Sequence, residues 1–275
     1  NEGPRGGGRE MMYHEPVATR NGIMAALLAK ENLRGSEMSL EGDAGFYNAF
    51  TGNNKGELTY SFGGPLQTSF ENVVADLGDR WELMHVTPKI YPTAGYNCPV
   101  IELMTQLRAS HAMPPTEIEN ITVNMNWLET LYPSPAFPNP QRGTPGVGST
   151  HYFTAYTCVH GSYPPLRDRI DPGDPTSPND QQVSDLMLRV KVVGEKDRGS
   201  FAPRITVVMR DGAQYQGEFG GDELKWDLAT ETKRIRELFS GLNWPIDRLE
   251  SIVTEVACLG QQPNVNSLIQ SCVGP

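Results

Sequence analysis

The chain has 275 residues and a formal charge of −10, with 38% hydrophobic and 20% charged residues. This composition is typical of a globular protein with room for one large or two modest domains. An acidic chain without clustered Lys and Arg argues against a nucleic-acid binder. No apolar run approaches the roughly 20 residues that span a bilayer, so we expect neither nucleic acid nor a membrane as a partner.

The first predicted elements are helices. Ile23, Leu27 and their small neighbours recur at helical spacing, and Gly35 is the predicted stop. Residues 66–86 predict a second helix.

From Lys89 onward the pattern predicts mixed helix and strand. Apolar residues at positions i, i+3, i+4 and i+7 from Val100 predict a helix over 100–112. Residues 118–128 alternate apolar and polar side chains, which predicts a half-buried strand. A long loop with five prolines follows. Residues 150–160 fit either a strand or a helix by propensity.

The later part of the chain predicts a hairpin and then helices. Residues 180–193 predict a short helix that runs into a strand. Strands over 203–210 and 213–219 flank Asp211-Gly212, which is a strong hairpin signal. Helices are predicted over about 222–240 and 244–259, with Pro245 in the first turn of the second one.

The four cysteines show neither CxxC spacing nor a nearby histidine pair, so no metal site is predicted. We expect ordinary reduced thiols, with a disulfide or a reactive thiol as the alternative. This favours a cytoplasmic location, with a mitochondrial one as the alternative.

Four segments, in the same order along the chain, together resemble the MmgE/PrpD family. They are VATRNGIMAALLAKENLRG (17–35), EGDAGFYNAFTG (41–52), LGDRWE (77–82) followed by Lys89, Tyr91 and Pro92, and RITVVMRDGAQYQGEF (204–219). The family contains 2-methylcitrate dehydratase, cis-aconitate decarboxylase and iminodisuccinate epimerase.

The resemblance implies an α+β fold in which a mostly helical domain is interrupted by a small α+β lid domain. It places part of the helical domain at 1–87, the lid at 88–220 and the helical return at 221–275. Residues 150–160 would form a helix of the lid. The family's acid/base histidines and a large helical segment would lie ahead of Asn1, so we expect a fragment, a processed product or one of two polypeptides.

The resemblance also implies a small-molecule di- or tricarboxylate ligand and no metal or organic cofactor. Family members are commonly homodimers. We therefore expect a homo-oligomer, or pairing with a separate N-terminal half.

Three residues are the predicted catalytic groups. Lys89 matches the family lysine ahead of the Tyr-Pro turn, where an ammonium would fix a substrate carboxylate; the alternative is a solvated lysine. Tyr156 in FTAYTCV matches a family tyrosine, with a buried structural aromatic as the alternative. His14 would replace a family histidine after a shift of one residue, and is otherwise a surface or capping histidine.

The chain also departs from the family pattern. Met11, Glu15 and Pro16 stand where many members have lysine, histidine and glycine, and Ala94 stands where decarboxylases tend to have a polar residue, often histidine. Thr93 and Asn97 are predicted to bind substrate in partial compensation. His151 is added because it lies near Tyr156 in sequence.

These departures lead to one preferred function and two alternatives. The first is dehydration of a 2-alkylcitrate-like tricarboxylic acid, since Met11 and Ala94 favour apolar contact. Decarboxylation or epimerisation on the same scaffold is the second. The third is a non-catalytic binding or assembly homologue that has lost polar site residues.

Overall fold

The computed structural model describes residues 11–58, 60–61, 64–65, 71, 74–81, 85–131, 146, 148–164, 181–239 and 245–273. Contacts divide the chain into two compact units, one within Asn1–His85 and Leu131–Ser134, the other within Val86–Thr130 and Pro135–Pro275. Helices and a mixed sheet occur together, which confirms the α+β class. The domain limits at 87 and 220 remain predictions.

The described residues of the first unit form two helices and a short strand pair. They are α1 (Met11–Lys30), α2 (Phe46–Thr51), β1 (Tyr60–Ser61) and β2 (Gly64–Pro65). The predicted helix over 66–86 lies mostly outside the described residues.

Helix α1 ends before the predicted stop at Gly35. Asn32 adopts the left-handed conformation, with φ of 64°, directly after the last turn. The Leu33 N–H then donates to the Leu28 carbonyl at 3.0 Å, which is the hydrogen bond of a Schellman cap. Asparagine tolerates this conformation because its short polar side chain hydrogen-bonds locally, so the terminator is Asn32 and not the glycine.

The second unit is built on a sheet of four strands in the order β4-β3-β5-β6. Its strands are β3 (Ile118–Asn126), β4 (Val190–Glu195), β5 (Arg204–Met209) and β6 (Gln214–Glu218). Strand β3 runs parallel to β4 and antiparallel to β5, and β5 and β6 form the predicted hairpin. The strand predicted to continue to residue 128 ends at Asn126, whose Oδ1 accepts the Leu128 N–H at 2.8 Å. This contact opens helix α4 (Trp127–Leu131).

Three helices pack together and cover the sheet. They are α3 (Asn97–Ser110), α5 (Thr150–His160) and α6 (Gln181–Met187). Helix α3 approaches β6 so closely that a Cβ on Gly217 would lie 2.8 Å from Leu103 Cδ1. Residues 150–160 are helical because Ser149 accepts the Tyr152 N–H at 3.0 Å and caps the first turn.

Three further helices follow the sheet. They are α7 (Leu228–Phe239), α8 (Ile246–Ala257) and α9 (Asn266–Cys272). Helix α7 begins after Asp227, whose carboxylate accepts the Thr230 N–H at 2.8 Å, and so starts later than predicted. Helix α9 was not predicted; it packs on α8, where Arg248 donates to the Ser271 carbonyl at 2.7 Å.

All four cysteines are free thiols, and two of them, Cys98 and Cys158, are buried. In the described part of the chain, no helix has both the length and the apolar character needed to cross a membrane.

Candidate functional site

The segment that leads into α3 carries the predicted catalytic lysine. Lys89 is exposed, whereas Tyr91 next along the chain is buried. Burial raises the pKa of the Cys98 thiol to about 11, and the positive charge of Lys89 acts in the opposite direction. Lys89 therefore lies close enough to the first turn of α3 for its charge to lower the pKa of a group there.

Thr93 and Asn97, the two predicted substrate-binding residues of this segment, are in direct contact. Asn97 Nδ2 donates to Thr93 Oγ1 at 3.1 Å, and Asn97 Oδ1 accepts from Thr150 Oγ1 at 2.7 Å. Asn97 and Thr150 are fully buried, while Thr93 is half-buried. The Asn97–Thr150 hydrogen bond thus joins the first turns of α3 and α5. Of the three residues Thr93, Asn97 and Thr150, only Thr93 keeps part of its surface exposed.

Thr150 was missed by the sequence analysis. It is the first residue of α5, and a threonine there gives no local sign of a partner 53 residues away. The contact depends on how α3 and α5 pack, which sequence spacing does not show.

His151 lies next to this contact and is only 4% exposed. Its Nδ1 is buried without a hydrogen-bond partner. Burial lowers the pKa of His151 to about 4, so the imidazole is neutral at physiological pH. A neutral imidazole can accept or donate a proton in a hydrogen bond but supplies no positive charge for a carboxylate.

Tyr156 is half-buried on the same helix, α5. Its ring lies 5.7 Å from the Tyr152 ring and 4.4 Å from the His160 ring, measured between centroids. These contacts place Tyr156 in an aromatic row along α5.

His14 lies on α1, in the first unit, and is exposed. The other predicted site residues belong to the second unit. The structure therefore brings Thr93 and Asn97 together on the segment that also carries Lys89. His14 belongs to the other unit.

A buried polar network beside Lys89 was not predicted. The Tyr91 hydroxyl donates to Glu102 Oε1, and Arg234 Nη2 donates to Glu102 Oε2 at 2.8 Å. Burial, together with the charge of Glu102, raises the pKa of Tyr91 far above its usual range. The sequence signal was Glu102 itself, a carboxylate inside the apolar run VIELM of α3.

Aromatic rings complete the surroundings of this network. The Tyr91 ring stacks on the Tyr163 ring at 4.8 Å, and Tyr163 stacks on Phe153 at 5.6 Å. The Arg234 guanidinium lies over the Trp226 ring at 5.6 Å. The backbone that carries Lys89 is thereby anchored through Tyr91 to α3, α5 and α7.

A groove elsewhere in the second unit, of about 440 Å³, is lined by Glu195, Arg198 and Glu218 among others. Arg198 donates to both carboxylates at 2.8 Å and to the Ala202 carbonyl at 2.8 Å. Its guanidinium is already neutralised by these carboxylates, so the described lining of this groove offers no cation to an acidic ligand.

Among the described residues, no three His, Cys, Asp or Glu side chains group closely enough to hold a metal ion. Comparison with known protein families found no family model that matches the sequence. No curated protein gives a significant match either. The family suggested by the four segments remains a prediction.

Proposed function

We propose that this chain forms part of an MmgE/PrpD-type lyase that dehydrates a 2-alkylcitrate-like tricarboxylic acid. The supporting observation is an ammonium without a paired carboxylate, on the same segment as a hydroxyl that is held in place. Lys89 is exposed and pairs with no carboxylate in the described ranges, and the neighbouring Thr93 is held by Asn97 at 3.1 Å. A substrate carboxylate loses its hydration when it enters a binding site. A cation and a hydroxyl donor compensate for that loss.

Dehydration requires a base and an acid. The base takes a proton from carbon, the released electron pair forms a C=C bond, and the hydroxyl leaves as water after protonation by the acid. In the proposed reaction Lys89 binds a carboxylate and stabilises developing negative charge. The Tyr156 hydroxyl donates to a carboxylate or relays a proton. The resemblance assigns the remaining acid/base histidines to the family's N-terminal helical part.

The proposal includes the family's architecture, with an α+β lid over 88–220 that interrupts a mostly helical domain. It also includes assembly into a homo-oligomer. Apolar side chains on α1 support this assembly, because Ile23 is 57% and Leu27 52% exposed, and such exposure marks a surface that a partner covers. Light scattering after gel filtration measures the molar mass in solution. The mass of a single chain would show that the homo-oligomer proposal is wrong, and mass in excess of whole copies would reveal a separate N-terminal half.

A non-catalytic binding or assembly protein is the second candidate. It is favoured by the apolar residues Met11 and Ala94 at positions where the family pattern is polar. Decarboxylation or epimerisation would use the same carboxylate contacts and differ in the bond that breaks.

The test measures binding with this chain, and turnover with this chain combined with the N-terminal helical half that the proposal requires. The ligands are citrate, 2-methylcitrate and tricarballylate, which lacks the hydroxyl that would leave. Thermal stabilisation reports binding, and the absorbance of the conjugated alkene acid reports dehydration. Lys89→Ala should abolish turnover and stabilisation while circular dichroism stays unchanged. Lys191→Ala, which removes an exposed lysine of β4, is the matched control and should retain both.

The outcomes separate the candidates. Stabilisation without turnover, even with the N-terminal half present, favours the binding protein, and release of CO₂ favours decarboxylation. Equal turnover in Lys89→Ala and the unmodified chain removes Lys89 from the mechanism. Absence of both binding and turnover for every acid contradicts the proposed function.

A further inference from the structure

Phe201 has an unusual backbone conformation next to the candidate site. Its φ is 56°, and among the described residues Asn32 alone joins it as a non-glycine residue with positive φ. Asparagine adopts this region readily, but a bulky aromatic residue there is a genuine outlier that costs about 1–3 kcal/mol. Such a conformation persists only where the surrounding structure fixes it.

The contact that fixes Phe201 comes from helix α4. Glu129 Oε1 accepts the Phe201 N–H at 2.7 Å, across 72 residues of sequence. Burial raises the pKa of the half-buried Glu129 carboxyl, and the backbone hydrogen bonds from Phe201 and Asn126 oppose that shift. A carboxyl group held in an unfavourable environment, with a strained backbone as its partner, indicates a geometry that the fold maintains specifically.

The loop around Phe201 is closed by further contacts. Arg198 Nη1 donates to the Ala202 carbonyl at 2.8 Å, which spans the loop. A Cβ on Gly221 would lie 2.8 Å from the Ser200 carbonyl oxygen, so the backbone of the next turn packs directly on it. The Phe201 side chain therefore projects from a firmly held loop.

The Phe201 ring lies against the segment that carries Thr93 and Asn97. A Cβ built on Gly95 would be 3.5 Å from Phe201 Cε1 and 3.9 Å from Cζ. Phe201 and Ala94 are both partly buried and pack on the edge of the core. The segment thus has an apolar neighbour at Gly95, directly after Ala94, and carries polar groups at Lys89 and Thr93.

We propose that Phe201 is a specificity-determining residue whose ring, together with Ala94, forms the apolar wall that receives the alkyl group of a 2-alkyl-substituted citrate. Glu129 is a positioning residue that holds the ring in place through the Phe201 N–H. This inference rests on the proposed function, because Lys89 and Thr93 must bind the carboxylates of the same ligand.

The test compares citrate with citrates that carry methyl, ethyl and propyl groups at the 2-position. Affinities for the full chain are measured by titration calorimetry. Each CH₂ group that contacts the ring should tighten binding by about fourfold. In Phe201→Ala this gain should disappear while the affinity for unsubstituted citrate changes less than about twofold.

Two further variants guard against misfolding and isolate the role of Glu129. Phe201→Gly removes the ring and also relieves the positive φ, so it should fold even if the alanine variant does not. Glu129→Gln keeps an oxygen that accepts the Phe201 N–H and should retain the alkyl preference, whereas Glu129→Leu should lose it. Phe50→Ala, at an exposed phenylalanine of the first unit, is the neutral control.

The results separate a failure of this inference from a failure of the proposed function. If the acids bind and the alkyl preference survives in both Phe201→Ala and Phe201→Gly, Phe201 is not the specificity residue and the proposed function stands. If no citrate binds to the unmodified chain, both proposals are overturned.

Discussion

Arg234 donates a hydrogen bond from Nη2 to Oε2 of Glu102 at 2.8 Å, although 132 residues separate them in sequence. The Glu102 side chain is 3% exposed and that of Arg234 35%. A buried carboxylate without a partner is strongly unfavourable, so the ion pair with Arg234 of α7 stabilises the buried Glu102 carboxylate. Since Glu102 also accepts from Tyr91, the same ion pair supports the segment that carries Lys89.

Loss of the arginine should therefore destabilise the second unit. Arg234→Met leaves the Glu102 carboxylate buried with only the Tyr91 hydroxyl as partner. We expect the free energy of unfolding to fall by about 2–3 kcal/mol, less than for a fully buried pair because Arg234 is partly exposed. Chemical denaturation followed by circular dichroism measures the change.

Arg236→Met is the matched control for Arg234→Met. Arg236 pairs with Glu250 at 2.6 Å, but both side chains are more than 40% exposed, and such exposed pairs contribute little to stability. The double variant Arg234→Met/Glu102→Met should recover most of the lost stability. Equal losses in Arg234→Met and Arg236→Met would show that the Glu102 contact is unimportant.

The Asn97–Thr150 hydrogen bond should couple the first turns of α3 and α5. Asn97→Ala leaves the buried Thr150 hydroxyl without its acceptor, and we expect a loss of about 1–3 kcal/mol. Thr150→Val should cost less, since it removes a donor and keeps the shape. A double-mutant cycle on the unfolding free energies should give a coupling of about 1 kcal/mol; additive single effects would contradict it.

The hairpin turn depends on the conformation of Gly212. Its φ is +89°, and a Cβ there would meet no atom within 4 Å. Gly212→Ala should therefore destabilise through backbone conformation alone, by about 1 kcal/mol. Gly260→Ala, another open position but without a positive φ, should be nearly neutral. Similar thermal midpoints for the two variants would exclude this explanation.

The elements that sequence predicted well are those fixed by local pattern. The β5–β6 hairpin follows from Asp211-Gly212, where Asp211 accepts the Ala213 N–H at 2.9 Å. Helix α3 and strand β3 follow from their apolar periodicity, although only β3 buries a single face, since residues 97–104 of α3 are buried all round the helix. Residues 150–160 were ambiguous because Thr, Tyr and Phe favour strands, and packing of α5 on its neighbours, together with the Ser149 cap, outweighs that preference.

The features that sequence did not predict depend on partners distant in the chain. In the sequence Glu102 is an isolated charge in an apolar helix. Its partner, Arg234 of α7, is known only from the structure. Phe201, which has a positive φ, donates its N–H to a carboxylate on α4, and nothing in the residues around it signals that contact. Thr93 and Asn97 were predicted from a resemblance, whereas Thr150 appears only when α3 and α5 pack.

His151 should make stability depend on pH. Its pKa falls to about 4 in the folded state, below the ordinary value of about 6.5, because burial disfavours the charged imidazolium. The stability that the neutral imidazole contributes is therefore complete above pH 6.5 and is lost as the pH falls towards 4. The full loss is about 3 kcal/mol, measured as unfolding free energy across this range.

His151→Leu isolates this contribution. The buried Nδ1 has no hydrogen-bond partner, so replacement by an apolar side chain removes an unsatisfied group and should change stability little at neutral pH. As the pH falls, unmodified chain and variant should diverge, with the variant becoming relatively more stable by about 3 kcal/mol. His14→Leu, at an exposed histidine, should follow the unmodified chain. Parallel curves for His151→Leu and the unmodified chain would mean that His151 takes up a proton as readily in the folded state as in the unfolded state, and that burial does not lower its pKa.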